Sequence, residues 1–121
     1  MAGGYRQLVV WQKAMDLVTA VYSLTEGFPK TEQFGLTSQI RRCAVSIPSN
    51  IAEGSKRATK ADFKNFLSIA LGSGAELETQ LEITKRLGYV HSGSFDTVDR
   101  LLSEVMRMLP VLISQARTTR D

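Results

Sequence analysis

Six basic side chains stand within residues 41–64: Arg41, Arg42, Lys56, Arg57, Lys60 and Lys64. Only Glu53 and Asp62 oppose them, so this segment nets +4, while the other nine bases and ten acids of the chain net −1. Clustered lysine and arginine hold nucleic acid by neutralising phosphates and releasing counterions. The chemistry on offer is therefore adhesion to an RNA or DNA backbone. No aromatics are arranged among these bases as a stacking platform, so binding would go to phosphates and read little sequence. The alternative is that the run simply solvates a helix–loop–helix end.

Other chemistry is thin. His91, beside Gly93, reads as a surface loop residue, and with Cys43 as the single cysteine the usual nitrogen and sulfur ligand sets for zinc are out of reach. Glu76, Glu78 and Glu82 resemble half of a carboxylate metal bundle, which would also need Glu-x-x-His pairs that this chain lacks. A charged face is expected instead, with Glu82 and Arg86 as a favourable i, i+4 pair and Glu78 mildly repelling Glu82. Gly72-Ser73-Gly74 has the composition of a phosphate loop but falls inside a helical pattern, where small residues permit close helix approach. The expectation is no catalytic residue, no metal, no cofactor and no small-molecule substrate: a protein that is not an enzyme.

Asn50-Ile51-Ala52-Glu53-Gly54 is the most distinctive short stretch. Asn50, Glu53 and Gly54 read as a structural motif at a helix terminus, with Ile51 toward the core and Gly54 free to take a positive φ. Glu53 opposes the helix dipole there, so it is expected to pair with a base such as Arg57 or with an amide end of a neighbouring subunit.

The elements that must position these residues are helical. Apolar spacing predicts four helices, at about 8–26, 34–53, 60–87 and 95–116, in a single domain spanning 1–121. The first carries Trp11, Ala14, Met15, Val18, Val21, Tyr22 and Thr25 as its core stripe and stops at Gly27 and Pro29. The second carries Ile40, Cys43, Ala44, Ile47 and Ile51, whose phase persists across Pro48, so one bent helix is expected rather than two. The third starts at a Thr59 cap, carries Phe63, Leu67, Ala70, Gly74, Leu77 and Leu81 at bundle-seam spacing, and ends at Gly88. The fourth starts at a Ser94 cap and carries Val98, Leu101, Leu102, Val105, Met108, Leu109, Leu112 and Ala116, with Pro110 toward solvent. Four amphipathic helices on short links make an all-α, antiparallel up-and-down four-helix bundle.

Two helices carry more apolar surface than such a bundle needs. Val10, Leu17, Ala20 and Leu24 line a second face of the first helix, and Ile69, Ile83 and Leu87 lie off the seam of the third with Glu76 among them. A spare stripe means either a merely wider core or another partner, and two helices carrying one favour the partner. Val10, Leu17, Leu24, Ile69, Glu76, Ile83 and Leu87 are therefore the expected contacts of a homo-oligomer, the partner being a second copy of this chain.

Composition agrees. At 43% hydrophobic and 22% charged the chain is an ordinary globular one. A lone cysteine, no signal-peptide pattern and no apolar run long enough to span a bilayer point to a soluble cytoplasmic protein without a membrane partner.

Leu8-Val-Val-Trp-Gln-Lys-Ala14, Gln39-Ile-Arg-Arg42, Ser46-Ile-Pro48, Asn50-Ile-Ala-Glu-Gly54, Phe63 through Gly72-Ser73, Glu76-Leu-Glu78 and Leu87-Gly-Tyr89 follow one another in this order. The pattern resembles the bacterial four helix bundle protein family, also called 23S rRNA-intervening-sequence proteins, over nearly the whole chain. Cys43 departs from it, since the family usually has alanine there. The resemblance implies an up-and-down bundle that assembles into homo-oligomers, with pentameric rings. Some members are encoded in insertions within 23S rRNA genes and many stand alone. A related accessory protein of diversity-generating retroelements binds nucleic acid and a reverse transcriptase. The expected function is a non-enzymatic homo-oligomeric module that binds nucleic acid or accompanies a ribonucleoprotein. The alternative is a structural or protein-interaction scaffold with no nucleic-acid role.

Overall fold

A computed structural model of the chain describes residues 4–118. Its helices are α1 (Val9–Thr25), α2 (Leu36–Ser55), α3 (Lys60–Leu87) and α4 (Asp96–Thr118), with short 3₁₀ turns at Gly4–Gln7, Lys30–Glu32 and Ser92–Phe95. No strand occurs among the described residues. α1 and α3 each pack on both α2 and α4. Links this short leave consecutive helices antiparallel, so the expected four-helix bundle is the fold.

Local signals set most boundaries. The Thr59 hydroxyl accepts a hydrogen bond from the Asp62 amide at 3.1 Å, satisfying a donor that α3 cannot satisfy itself. At the other end Gly88 takes φ 68°, where a side chain would be strained, and α3 stops. α2 runs unbroken through Pro48, although proline cannot donate to the carbonyl four residues back. α4 departs from expectation. Its lead-in is the turn Ser92–Phe95, capped by His91 Nδ1 accepting from the Gly93 amide at 3.1 Å, rather than a Ser94 cap.

The core takes one aliphatic stripe from each helix. α3 contributes Leu67, Ala70, Leu77 and Leu81; α4 contributes Val98, Leu101, Leu102, Val105, Leu109 and Ile113. In α1 the structure keeps Ala14, Val21 and Thr25 buried as expected and overturns the rest of the expected stripe. Val10, Ala14, Leu17, Val21 and Leu24 are the buried stripe, whereas Met15 and Tyr22 are exposed and Trp11 and Val18 only partly covered. Val10, Leu17 and Leu24 are thus interior to the subunit and unavailable to a second copy.

The reason lies in two seams set side by side. Residues 10, 14, 17, 21, 24 and residues 11, 15, 18, 22, 25 both alternate by four and three, one position apart. The first is wholly aliphatic, and full burial of a valine or leucine gives about 1.5–3 kcal/mol each. The second holds Trp11, Met15, Tyr22 and Thr25, whose indole and hydroxyl groups need polar partners when covered. The aliphatic seam goes inside.

Gly54 also differs from expectation. α2 continues past it to Ser55, and among the described residues only Gly4 and Gly88 have positive φ. Gly54 is buried, and a Cβ there would stand 2.6 Å from Phe66 Cβ and 3.1 Å from Phe63 Cδ1. Its role is close approach of α2 to α3. Gly74 does the same between α3 and α4, against the Met106 thioether.

The end of the bundle that holds the α1–α2 and α3–α4 connections is tied by Glu32. Its carboxylate accepts from the Leu36 amide at 3.1 Å, covering the start of α2, and from the Tyr89 hydroxyl. The Phe28 and Tyr89 rings meet edge to face at 5.7 Å beside it.

Candidate nucleic-acid interface

At the opposite end, α2 finishes, α3 begins and the turn before α1 folds back against the end of α2. That turn is held to α1 by the Leu8 amide donating to the Tyr5 carbonyl at 3.0 Å and by Gln12 Nε2 donating to the Arg6 carbonyl at 2.9 Å. Tyr5 and Trp11 meet edge to face, 5.1 Å between ring centroids. So anchored, Tyr5 forms one wall of an open cleft of about 390 Å³ whose other walls are Ala52, Glu53, Lys56 and Arg57. The Lys56 ammonium stands 5.8 Å from the Tyr5 ring centre, the Arg6 guanidinium 5.5 Å from it, and the Arg57 guanidinium 4.8 Å from Phe66.

Glu53 pairs with Arg57 at 2.8 Å, the partner expected for it. Both side chains are about half exposed, and such an i, i+4 pair holds only about 0.3–0.5 kcal/mol. Arg57 is therefore easily diverted to a phosphate. Asn50 is turned the other way: its Nδ2 donates to the Ser46 carbonyl at 2.8 Å and reaches Ser46 Oγ at 2.9 Å, bracing α2 around Pro48.

The six basic residues do not converge. Lys56 and Arg57 share the cleft, and Lys60 and Lys64 lie on the first two turns of α3 at the same end, outside its lining. Arg41 and Arg42 are about four turns of α2 away, roughly 22 Å at 1.5 Å per residue. Arg41 is committed to α1: its Nε donates to Thr25 Oγ1 at 2.8 Å, and its guanidinium lies 4.4 Å from the Tyr22 ring centre. That contact explains why Tyr22 sits at the rim of α1 rather than in the core.

Arg42 borders a second cleft, about 330 Å³, between α2 and α3, lined also by Gln39, Cys43, Ser46, Ser73 and Glu76. The Ser46 and Ser73 hydroxyls are 2.8 Å apart across it, and the Cys43 thiol donates to the Ser73 carbonyl at 3.6 Å. Burial, with the Glu76 carboxylate nearby, pushes the Cys43 thiol up to about 11, so it stays protonated at neutral pH. Beside this cleft Ile69, Ile83 and Leu87 are exposed as expected. Glu82 pairs with Arg86 at 3.2 Å, and among the described residues no three acidic, histidine or cysteine side chains gather as a metal site.

Tyr5, Arg6 and Trp11 are the residues that sequence reasoning missed at this site. Tyr5 and Arg6 precede the first periodic segment, and no pattern signals where such a turn will fold.

The fold is that of the small antiparallel four-helix-bundle proteins, with a basic aromatic cleft at one end and a mixed polar cleft along α2 and α3. The chain belongs to the 23S rRNA-intervening sequence protein family, whose model matches residues 6–110. It is similar to a crystal structure of a protein of unknown function from the S23 ribosomal protein family of Bacteroides thetaiotaomicron VPI-5482. The TM-score is 0.80 at 28% identity, over 87% of this chain and 98% of that one. None of the curated proteins matches the chain. No helix among the described residues is long and apolar enough to cross a membrane.

Proposed function

We propose that this chain is a non-enzymatic, homo-oligomeric module that binds nucleic acid, with the end of the bundle carrying Lys56, Arg57, Lys60 and Lys64 as its phosphate-binding surface. The observation that carries this reading is the cleft in which Lys56 and Arg57 flank an anchored aromatic ring. Family membership supports a ribonucleoprotein-accessory setting. Oligomerisation would set several such ends on one particle, multiplying a charge that is modest in one subunit.

Assembly is assigned to the α2–α3 face. Ile69, Glu76 and Ile83 recur every seven residues on α3, with Leu87 one turn beyond, and the three apolar members are 42–53% exposed. Arg42 and Glu76 stand exposed on the two walls of the adjoining cleft, a complementary pair for the same face of a neighbour. Gln80 is 94% buried beside it, with Oε1 lacking a hydrogen-bond donor among the described residues. A ring of five is the arrangement the family resemblance suggests.

The test of nucleic-acid binding is a fluorescence titration with RNA and duplex DNA at several salt concentrations. Log affinity should fall linearly with log salt, by about 0.9 per phosphate neutralised on duplex and about 0.7 on single strands. Replacing Lys56 and Arg57 together by glutamine should shallow that slope and weaken all sequences alike. Absence of binding at low salt would leave the assembly face as the function, a structural scaffold. An unchanged slope in the double variant would move the surface elsewhere.

A further inference from the structure

We infer that the cleft walled by Tyr5, Ala52, Glu53, Lys56 and Arg57 takes an unstacked base of a single-stranded nucleic acid, stacked on Tyr5, with guanine preferred. The inference rests on the nucleic-acid reading above and names the part of the ligand that the cleft receives. Phosphate binding alone needs no aromatic ring and no acid, and this cleft has both.

Magnitudes decide what occupies the Tyr5 face. An exposed cation–π contact, such as Lys56 makes at 5.8 Å, holds about 0.5–1 kcal/mol. A base stacked on an aromatic side chain is worth about 1–3 kcal/mol. The base displaces whichever cation, Lys56 or Arg6, covers the face it takes, and the freed side chain is left at the rim, where the phosphate of that nucleotide must pass. Trp11 packs edge to face with the ring, so the ring need not be ordered on binding.

Glu53 sets which base. A carboxylate in the wall repels phosphate and accepts from N–H donors. Guanine offers two adjacent donors, N1–H and the 2-amino group, which match the two carboxylate oxygens. Uracil offers one N–H flanked by two carbonyl oxygens that the carboxylate repels. Arg57 can stay bonded to Glu53 Oε2, since each carboxylate oxygen accepts more than one hydrogen bond. A duplex keeps its bases stacked and paired, so it meets only the basic rim.

The experiment uses the full chain and three labelled probes: an all-uridine single strand, the same strand with one central guanosine, and an RNA duplex. Wild type should bind the guanosine strand several-fold more tightly than the uridine strand. Tyr5→Ala should weaken both single strands by about tenfold while leaving the salt slope and duplex affinity unchanged, and Tyr5→Phe should retain wild-type binding. Glu53→Gln should remove the guanosine advantage, and binding of the guanosine strand should change the fluorescence of Trp11 through Tyr5. Equal loss on single strand and duplex in Tyr5→Ala, or no loss at all, would overturn the cleft assignment while phosphate binding stands. No binding of any probe by wild type would overturn both. Far-ultraviolet circular dichroism of each variant separates loss of the cleft from loss of the fold.

Discussion

Glu32 serves two partners at once, the Leu36 amide and the Tyr89 hydroxyl, and each lowers its tendency to take a proton. The Tyr89 bond, with the Leu36 amide second, holds the Glu32 carboxyl below its ordinary value. The same bond pushes the Tyr89 phenol up. On α4, Glu104 is also held low, first by its hydrogen bond to Lys13 and then by Arg100. A carboxyl depressed in the folded state stabilises fully above its unfolded value, about 4.3 for glutamate, and the contribution is lost as pH falls through the folded value. The phenol, being raised, stabilises below about pH 10 and loses that contribution as pH climbs through its folded value. The denaturant midpoint should therefore decline on both sides. Glu32→Gln, which keeps an acceptor but cannot titrate, should flatten part of each limb. An acid limb as steep as that of wild type would show that Glu32 is not responsible. Leu17 is a second case at this scale. Leu17→Ala should cost about 2–5 kcal/mol, because the side chain is fully buried. A midpoint shift near zero would return Leu17 to the surface.

At the scale of elements, the close approach of α2 to α3 depends on the glycine at position 54. Alanine in place of Gly54 would gain about 1 kcal/mol in helix propensity. It would also press a methyl into Phe66 Cβ, an atom fixed to the backbone of α3 that cannot swing aside. Overpacking of this kind costs typically about 1–3 kcal/mol, so Gly54→Ala should be destabilising on balance. Gly74→Ala meets the flexible Met106 thioether instead and should cost less. Thermal unfolding of the two variants side by side checks the ranking, and a stabilised Gly54→Ala would mean that α2 and α3 do not approach as closely as described.

For the whole molecule, the proposed assembly places one stripe of α3 between subunits, and α1 contributes none of its aliphatic seam. Light scattering at micromolar concentration should give a multiple of the 13.4 kDa chain mass. Ile69→Glu with Ile83→Glu should reduce that mass to one chain while helicity persists, since both side chains are exposed in the subunit. Leu17→Glu should instead unfold the protein, because it puts a charge into the core. A wild-type monomer, or an unchanged multiple in the double variant, would dismiss the α3 stripe as the contact.

What the sequence by itself determined is local. Thr59 caps α3 and Gly88 ends it because a hydroxyl three residues from an amide, and a residue free to take positive φ, act within one turn. The seams of α3 and α4 and the Glu53–Arg57 pair were legible for the same reason: i, i+3 and i+4 neighbours meet wherever a helix forms. Only the tertiary structure decided the rest. Which of the two α1 seams goes inside depends on what α2 and α4 bring against it, so Val10, Leu17 and Leu24 could not be placed from spacing alone. Gly54 reads as a helix stop until Phe66, twelve residues on, is laid against it. The basic run looks continuous along the chain, yet α2 sets Arg41 and Arg42 roughly 22 Å from Lys56 and Arg57 and turns Arg41 into α1. Tyr5 lies 51 residues from Lys56 in the chain, and their meeting is a contact between distant segments that no local rule encodes.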